Sequence, residues 1–389
     1  MVKRVSGPPG LIDEEASALA QNNKKAHLPR VAIACQGGGS HAAFGAGIMH
    51  RLLDDHGRKF HLSALSGTSG GAVNAVLTWS GLIQGGPAEA QGRLRGLWED
   101  LAAREPTDVV RNWWGQMILS LPFTWEVSPY VWDLGAREEM TARLKRWANL
   151  EALPKDPARL NDPTLLVGAT DILNGVSVAI RGDGETMTRQ KQMAKPAPEP
   201  FDYDDVIASL AIPPLYKDVE RRGTALWDGL FSVNPPIYAL TTLTPKPEEI
   251  WVIQINPQRA SGVPISMRDI VDRRNELGGN VSLNKELDMI ETINGMLRNG
   301  HLSGDHHYTG ITIRMVGIEE EDDALDLAYA SKFNRRPDFL SRLFDLGRNR
   351  APRFYEDGSL RDQFIRRLTR SARPARRKGS SARQKVPSS

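Results

Sequence analysis

The chain has 389 residues, 40% of them hydrophobic and 25% charged, with a formal net charge of +3. That length buries a full core, as one large domain with additions or as two, and a single cysteine, Cys35, excludes an intramolecular disulfide. No C-x-x-C or H-E-x-x-H marks a metal site, no apolar stretch approaches the ~20 residues of a membrane span, and the basic N-terminus lacks the apolar core of a Sec signal peptide. The charge is uneven. Residues 366–389 hold nine Lys/Arg and no acid; +3 less nine leaves −6 on residues 1–365.

In chain order, residues 1–29 are polar and read as a loose leader with one short helix, Glu14–Asn22. Val31–Cys35 is an apolar run that predicts a buried parallel strand. It ends in Gln36-Gly37-Gly38-Gly39-Ser40-His41-Ala42, and Ala43–Leu53 follows with helical spacing. A second short run, Leu62–Leu65, leads into Gly67-Thr68-Ser69-Gly70-Gly71 and then small and apolar residues at helical spacing. Strand, glycine turn, helix, strand, turn, helix predicts a mainly parallel sheet covered by helices. Residues 82–160 read as mostly helical, and four of the nine tryptophans (Trp113, Trp114, Trp125, Trp132) crowd within them.

Further on, Thr164–Thr170 predicts a buried strand and Gly175–Ile180 its hairpin partner. Phe201–Leu210 reads as a helix entered through Asp202, Asp204 and Asp205 and stopped at Ile212-Pro-Pro. Arg222-Gly223 is a turn before the short strand Thr224–Trp227, which delivers Asp228-Gly229. Strands at Trp251–Ile255 and Gly310–Val316, a helix at Ser282–Leu297 and a helical stretch Leu327–Asn349, broken at Pro337, complete the pattern.

Gly67-x-Ser69-x-Gly71 between a strand and a helix has the form of a nucleophile elbow. Such a turn needs neighbours without side chains, and the helix N-terminus beneath it favours a developing negative charge. Gly37-Gly38-Gly39 can aim N–H groups at one point, as an oxyanion hole does. The same residues also match G-x-G-x-x-A of dinucleotide folds through Ala42, but no acid ends the second strand. A plain turn is the third reading. Asp228-Gly229 is by itself an ordinary turn; with Ser69 and the glycine loop it becomes a candidate base at a strand end. A histidine base would come from His306 or His307, which follow Asp228 as in the order Ser, Asp, His. The tryptophan-rich segment fits either an acyl-chain wall at an interface or ordinary core packing. The basic tail fits either a disordered solubilising end or a segment that binds anionic lipid or nucleic acid.

Taken in order, Gly37-Gly38-Gly39-Ser40-His41-Ala42, Gly67-Thr68-Ser69-Gly70-Gly71 and Asp228-Gly229 resemble the motifs of the patatin-like phospholipase family, specifically its bacterial members. The resemblance covers roughly residues 31–240 and extends to Ala208–Pro214 and Trp227–Pro236. It implies an α/β fold: a three-layer core with a mainly parallel sheet between helices, and a helical C-terminal extension. It implies a serine acyl hydrolase of lipase or phospholipase type with a Ser–Asp dyad. Ser69 would be the nucleophile, Asp228 the general base, Gly37, Gly38 and Gly39 the oxyanion hole, and Gly67, Gly71 and Gly229 the supporting glycines. The alternative is a non-catalytic lipid- or membrane-binding protein that keeps the fold. Two positions depart from the family's usual pattern. His41 and Ala42 stand where Arg or Lys and then Gly are usual, and Leu230 follows Asp228-Gly229 where Gly or Ala is usual. Both bear on substrate preference.

The expected organisation is a leader at 1–29, a catalytic domain at 30–242, a C-terminal part with added strands and helices at 243–365, and a disordered basic tail at 366–389. No metal or cofactor is expected. The expected partner is a lipid or other acyl ester, with no nucleic acid. The expected location is the cytoplasm, where the tail could give peripheral contact with the anionic inner membrane.

Overall fold

The structure, a computed structural model, describes residues 27–106, 108–110, 112, 130, 135–188, 199–213, 215–260, 262–303, 308–319 and 327–363. The leader helix Glu14–Asn22, the four clustered tryptophans, His306, His307 and the basic tail lie outside the described residues.

In chain order the strands are β1 (Arg30–Cys35), β2 (His61–Thr68), β3 (Thr164–Asp171), β4 (Val176–Arg181), β5 (Thr186–Thr188), β6 (Val219–Arg221), β7 (Thr224–Asp228), β8 (Glu249–Gln254) and β9 (Thr312–Gly317). The helices are α1 (Ala42–Leu52), α2 (Gly70–Asp100), α3 (Ala136–Ala148), α4 (Tyr203–Leu210), α5 (Ile237–Thr241), α6 (Met267–Arg298), α7 (Pro337–Arg350) and α8 (Arg353–Glu356).

All of these strands join one sheet, ordered β5-β4-β3-β2-β1-β8-β9, with β7 on β3 and β6 on β7. The run β3-β2-β1-β8-β9 is parallel. A central parallel strand is covered on both faces, so it must be apolar on both. β1 meets that condition: Val31, Ile33 and Cys35 enter one core, and Ala32 and Ala34 the other. On the first face Phe44 and Ile48 of α1, Val73 and Leu77 of α2, and Leu343 of α7 are buried. On the second face, Leu283, Leu287 and Ile290 of α6 and Leu240 of α5 pack over Ala32, Ala34 and Ala64. The result is a helix–sheet–helix sandwich, the three-layer α/β arrangement expected.

The residues after 242 extend this same sheet, because β8 lies directly beside β1. In the first helical layer α7 crosses α1 at two glycines. A Cβ on Gly47 would fall 1.9 Å from the Phe344 carbonyl oxygen, and one on Gly347 2.0 Å from that of Phe44. Backbone therefore meets backbone there.

β3 carries the feature that places the site. Residues 164–168 of β3 pair with β2 in parallel register, ending at Thr68 opposite Gly168. Residues 169–171 pair with β7 in antiparallel register, with Asp228 opposite Ala169. β4 takes the other edge. So β2 and β7 run toward each other along one edge of β3, and their C-terminal ends meet at Gly168. A Cβ on Gly168 would stand 2.4 Å from Thr68 Oγ1, and one on Gly229 2.8 Å from the Gly168 carbonyl.

Four elements differ from the sequence reading. β5 and β6 have three residues each, too few for an alternation to register. α6 begins at Met267, well before Ser282, through a capping box in which Ser266 and Asp269 satisfy each other's backbone N–H groups. Its first half shows no apolar stripe because Met267, Val271 and Leu277 face solvent. Pro337 starts α7 instead of interrupting a helix, as its fixed φ and missing N–H favour. No helix among the described residues is long and apolar enough to cross a membrane.

The α1–α7 crossing has no room for a side chain. Gly347→Val should lower stability by about 3 kcal/mol or more, since overpacking against backbone cannot relax by rotamer change. Guanidinium unfolding checks it, and a loss below about 1 kcal/mol would mean the helices separate easily.

Candidate active site

Ser69 sits between β2 and α2 with φ 54° and ψ −130°. A side-chain-bearing residue held there costs about 1–3 kcal/mol, so its surroundings must enforce the turn. Four hydrogen bonds do. The Ser69 carbonyl accepts the N–H groups of Ala72 (2.9 Å) and Val73 (3.1 Å), opening α2. The Ser69 N–H donates to Ser209 Oγ at 3.0 Å, and Ser209 Oγ donates to the Gly168 carbonyl at 2.6 Å. α4 thereby ties the turn to β3. The flanking glycines are needed for close approach: a Cβ on Gly71 would lie 2.2 Å from the Cys35 carbonyl oxygen, and one on Gly67 2.3 Å from that of Gly71.

The glycine loop follows β1 and passes directly over this turn. A Cβ on Gly37 would stand 2.7 Å from Ser69 Cβ. The Gly37 N–H donates to Asn234 Oδ1 at 2.7 Å, so it is already occupied. The N–H groups of Gly38 and Gly39 have no partner among the described residues. Gly39 has φ 56°, a left-handed conformation that glycine adopts without strain. The loop then closes as a 3-10 turn, Gly39–His41, leading into α1.

Asp228 ends β7 and is 1% exposed. One carboxylate oxygen, Oδ1, accepts the Leu230 N–H at 2.8 Å. Burial pushes its pKa up to about 7, opposed by the Leu230 N–H and by a side-chain hydrogen bond from Ser69. The head-on meeting of β2 and β7 thus brings Ser69 and Asp228 together from positions far apart in sequence. Thr170 Oγ1 donates to the Asp228 carbonyl at 2.9 Å and Thr68 Oγ1 to that of Val233 at 2.8 Å, fixing the loop on either side.

Ser69 lines a cavity of about 560 Å³. Gly39 and Ser40 of the loop, Val73, Trp98, Met140, Leu210, Leu215, Tyr216, Phe333 and Leu340 are among its walls. Val110 and Asn112, just ahead of the tryptophan-rich segment, also line it. Most of this surface is apolar, with Glu139, Arg143, Lys332 and Arg335 as charged exceptions.

No described histidine lines that cavity. His41, the nearest in sequence to the loop, is buried beneath it, with Nε2 2.8 Å from Ser331 Oγ. Burial, and then the charge of Lys332, push its pKa down to about 3, so it is neutral. His27 pairs with Glu248 and His61 with Asp162, both at the surface. His306 and His307 lie outside the described residues. Among the described residues no group of three His, Cys, Asp or Glu side chains is placed to hold a metal ion.

Nothing in the sequence marks Ser209, Asn234 or Lys332 as part of the site. Ser209 and Asn234 fall inside stretches read for their proline stops and their Asp, and one Ser or Asn has no pattern of its own. Lys332 acts from a segment far along the chain.

A serine on a strained strand–helix turn, beside a glycine loop and above an apolar cavity, defines the class of α/β proteins with a nucleophile-elbow architecture. The sequence model of the patatin-like phospholipase family matches residues 33–241, more than half of the chain, and the chain belongs to that family. Among solved structures it is similar to VipD from Legionella pneumophila, at 12% identity over 86% of this chain and 68% of that one, TM-score 0.39. It is also similar to human GIVD cytosolic phospholipase A2, solved with methyl gamma-linolenyl fluorophosphonate, at 13% identity over 91% of this chain and 62% of that one, TM-score 0.37. No curated protein matches.

The raised pKa of Asp228 has a consequence for stability. A carboxyl whose folded pKa lies above its ordinary value destabilises the fold when ionised. That cost is absent below about 4, where both states are protonated, and complete above about 7. Asp228→Asn should therefore raise unfolding free energy by about 1–4 kcal/mol at pH 8 and by little at pH 4. Denaturant titrations at both pH values measure this. An equal loss at both would show that the carboxylate is not held at a cost.

Proposed function

We propose that this protein is a serine acyl hydrolase of lipase or phospholipase type, acting on fatty-acyl esters through Ser69 and Asp228. The observation that carries the reading is a buried carboxyl poised near neutrality beside the hydroxyl of a strained serine. An acid of ordinary pKa would be a weak base at neutral pH, whereas one near 7 is matched to proton transfer there.

In the proposed cycle the acyl chain lies in the apolar cavity and Ser69 Oγ attacks the ester carbonyl while Asp228 takes its proton. The tetrahedral oxyanion accepts hydrogen bonds from the Gly38 and Gly39 N–H groups, while Gly37 holds the loop on Asn234. Collapse breaks the ester C–O bond, and protonated Asp228 returns the proton to the leaving alcohol. Water then attacks the acyl-enzyme, giving its proton to Asp228. The fatty acid leaves and Ser69 regains its hydrogen. The electrostatics of the glycine loop and the α2 N-terminus serve both tetrahedral states.

A fluorophosphonate probe and p-nitrophenyl butyrate test this directly. Wild type should be labelled at Ser69 and should turn over the ester. Ser69→Ala should do neither, and Asp228→Ala should lose roughly 1,000-fold or more in kcat. Because Asp228 works as the carboxylate, kcat/KM should rise with pH through about 7. His307→Ala should keep its activity; a complete loss there, with the fold intact, would favour a triad. Wild-type protein that neither labels nor turns over ester but still binds vesicles would favour the non-catalytic lipid-binding alternative.

The basic tail, residues 366–389, is proposed to draw the enzyme to anionic membranes in the cytoplasm, where its substrate lies. Deleting it should reduce cosedimentation with phosphatidylserine vesicles, most strongly at low salt, and leave hydrolysis of the soluble ester unchanged. Equal cosedimentation would remove the tail from this role.

A further inference from the structure

The glycine loop is braced directly at and after its apex by one turn far downstream, and before the apex through Asn256, which that turn also holds. The 3-10 turn Tyr329–Phe333 lies well beyond the family-matched residues. At the loop's apex a Cβ on Gly39 would fall 2.2 Å from the Lys332 carbonyl oxygen, so the Lys332 backbone is its supporting wall. After the apex, Ser331 Oγ donates to the Ala328 carbonyl at 2.7 Å and therefore accepts from His41 Nε2 at 2.8 Å. Before the apex, Gln36 Oε1 accepts the N–H groups of Ile255 (2.7 Å) and Asn256 (2.9 Å). Asn256 Oδ1 in turn accepts from Lys332 Nζ at 2.7 Å, and Asn275 Oδ1 accepts from the same ammonium.

Lys332 also lines the cavity that holds Ser69. Its direct partners there are two neutral amides. The acids that face it from α6, Asp272 and Glu276, are each shared with an arginine of that helix: Glu276 with Arg273 at 2.8 Å, Asp272 with Arg268 at 4.0 Å. On the loop side the facing titratable group, His41, is neutral. Of the other charged residues lining the cavity, Glu139 is paired with Arg143 at 3.3 Å and Arg335 adds no negative charge. Among the described residues no carboxylate pairs directly with this ammonium, and Lys332 belongs to the lining of the cavity that holds Ser69.

We propose that Lys332 is the positioning residue of the glycine loop: its ammonium fixes the loop that presents the Gly38 and Gly39 N–H groups and adds positive charge to the Ser69 cavity. The catalytic part of this rests on the hydrolase reading; the positioning part does not.

The pH dependence follows. Lost hydration pushes the Lys332 pKa down to about 8, against the pull of Glu276 and Asp272. The charge is present below that value and lost as pH rises through it. With the Asp228 requirement, kcat/KM should be bell-shaped, rising through about 7 and falling through about 8.

The test compares wild type, Lys332→Met and Asn275→Asp by p-nitrophenyl butyrate kinetics across pH and by amide hydrogen exchange of residues 36–42. Lys332→Met should lose roughly 10–100-fold in kcat with KM within about 3-fold, and should lose the alkaline limb. Exchange in 36–42 should accelerate while core strands keep their protection. Asn275→Asp keeps the lysine and puts a carboxylate beside it, so it should move the alkaline limb up by about one pH unit or more. An alkaline limb unmoved in both variants, or unchanged exchange at 36–42 in Lys332→Met, would overturn the assignment. If Lys332→Met does not fold, the limb in Asn275→Asp decides. If wild type turns over no ester, the hydrolase reading fails on its own, and loop exchange still decides whether Lys332 holds the loop.

Discussion

The structure depends on one steric constraint: backbone segments converge at Ser69 closer than side chains allow. Cys35, Gly37, Gly67, Gly71 and Gly168 come from β1, the loop after it, β2, α2 and β3. At each of the four glycines a Cβ would lie within 2.7 Å of an atom of a neighbouring segment. A sheet edge normally carries one strand along its length. Here β3 carries two on the same edge, and their ends abut at Gly168. That abutment turns sequence distance into spatial proximity, and it puts a residue at the end of β7 next to a residue just past the end of β2. Any side chain at the junction would push those ends apart and separate the proposed nucleophile from its proposed base.

The same crowding sets the electrostatics. Convergent backbone excludes water, so groups in its shadow lose hydration and shift toward neutrality. Asp228 rises to about 7, His41 falls to about 3 and Lys332 to about 8, each chiefly through burial. Cys35 follows the rule too, its thiol pushed up to about 12 and so chemically quiet at neutral pH. A histidine is therefore not required for basicity near neutrality in this fold. A carboxyl dehydrated to the right degree has a pKa in the same range, and the price is a destabilising ion when it works.

Much of this was legible in the sequence, for specific reasons. β1, β2, β3 and β8 are short apolar runs because both of their faces are covered, and that signal survives without knowledge of the partner strand. The elbow and the glycine loop were legible because steric necessity allows few residue types there. The Asp202 and Asp205 capping box of α4 also announced itself, as acids at a helix start do. What failed to show was anything whose role depends on a distant partner. The first half of α6 is exposed and carries no stripe. Ser209 joins the Ser69 N–H to the Gly168 carbonyl and Asn234 takes the Gly37 N–H, contacts that leave no periodic trace. His41 stands where Arg or Lys is usual in the family, yet it is a neutral packing residue, and the cation near the loop is Lys332.

That exchange bears on how the chain divides. The family-matched residues contain the elbow, the glycine loop and Asp228, with Ser209 and Asn234 as braces, but not all the parts that hold them still. β8 lies beside β1 and its extension receives Gln36; α7 covers α1 through Gly47 and Gly347; the Tyr329–Phe333 turn walls Gly39. Each of these contacts comes from beyond residue 241, and each bears on β1 or on the loop and helix that follow it. The segment that carries the glycine loop is thus central in the sheet but supported from the C-terminal side of the sequence. An N-terminal fragment ending near 242 would expose one edge of β1 and leave Gly47, Gly39 and Gln36 facing solvent. The geometry at Ser69 is therefore a property of the whole chain, and the residues that make the loop rigid are free to differ wherever the C-terminal part differs.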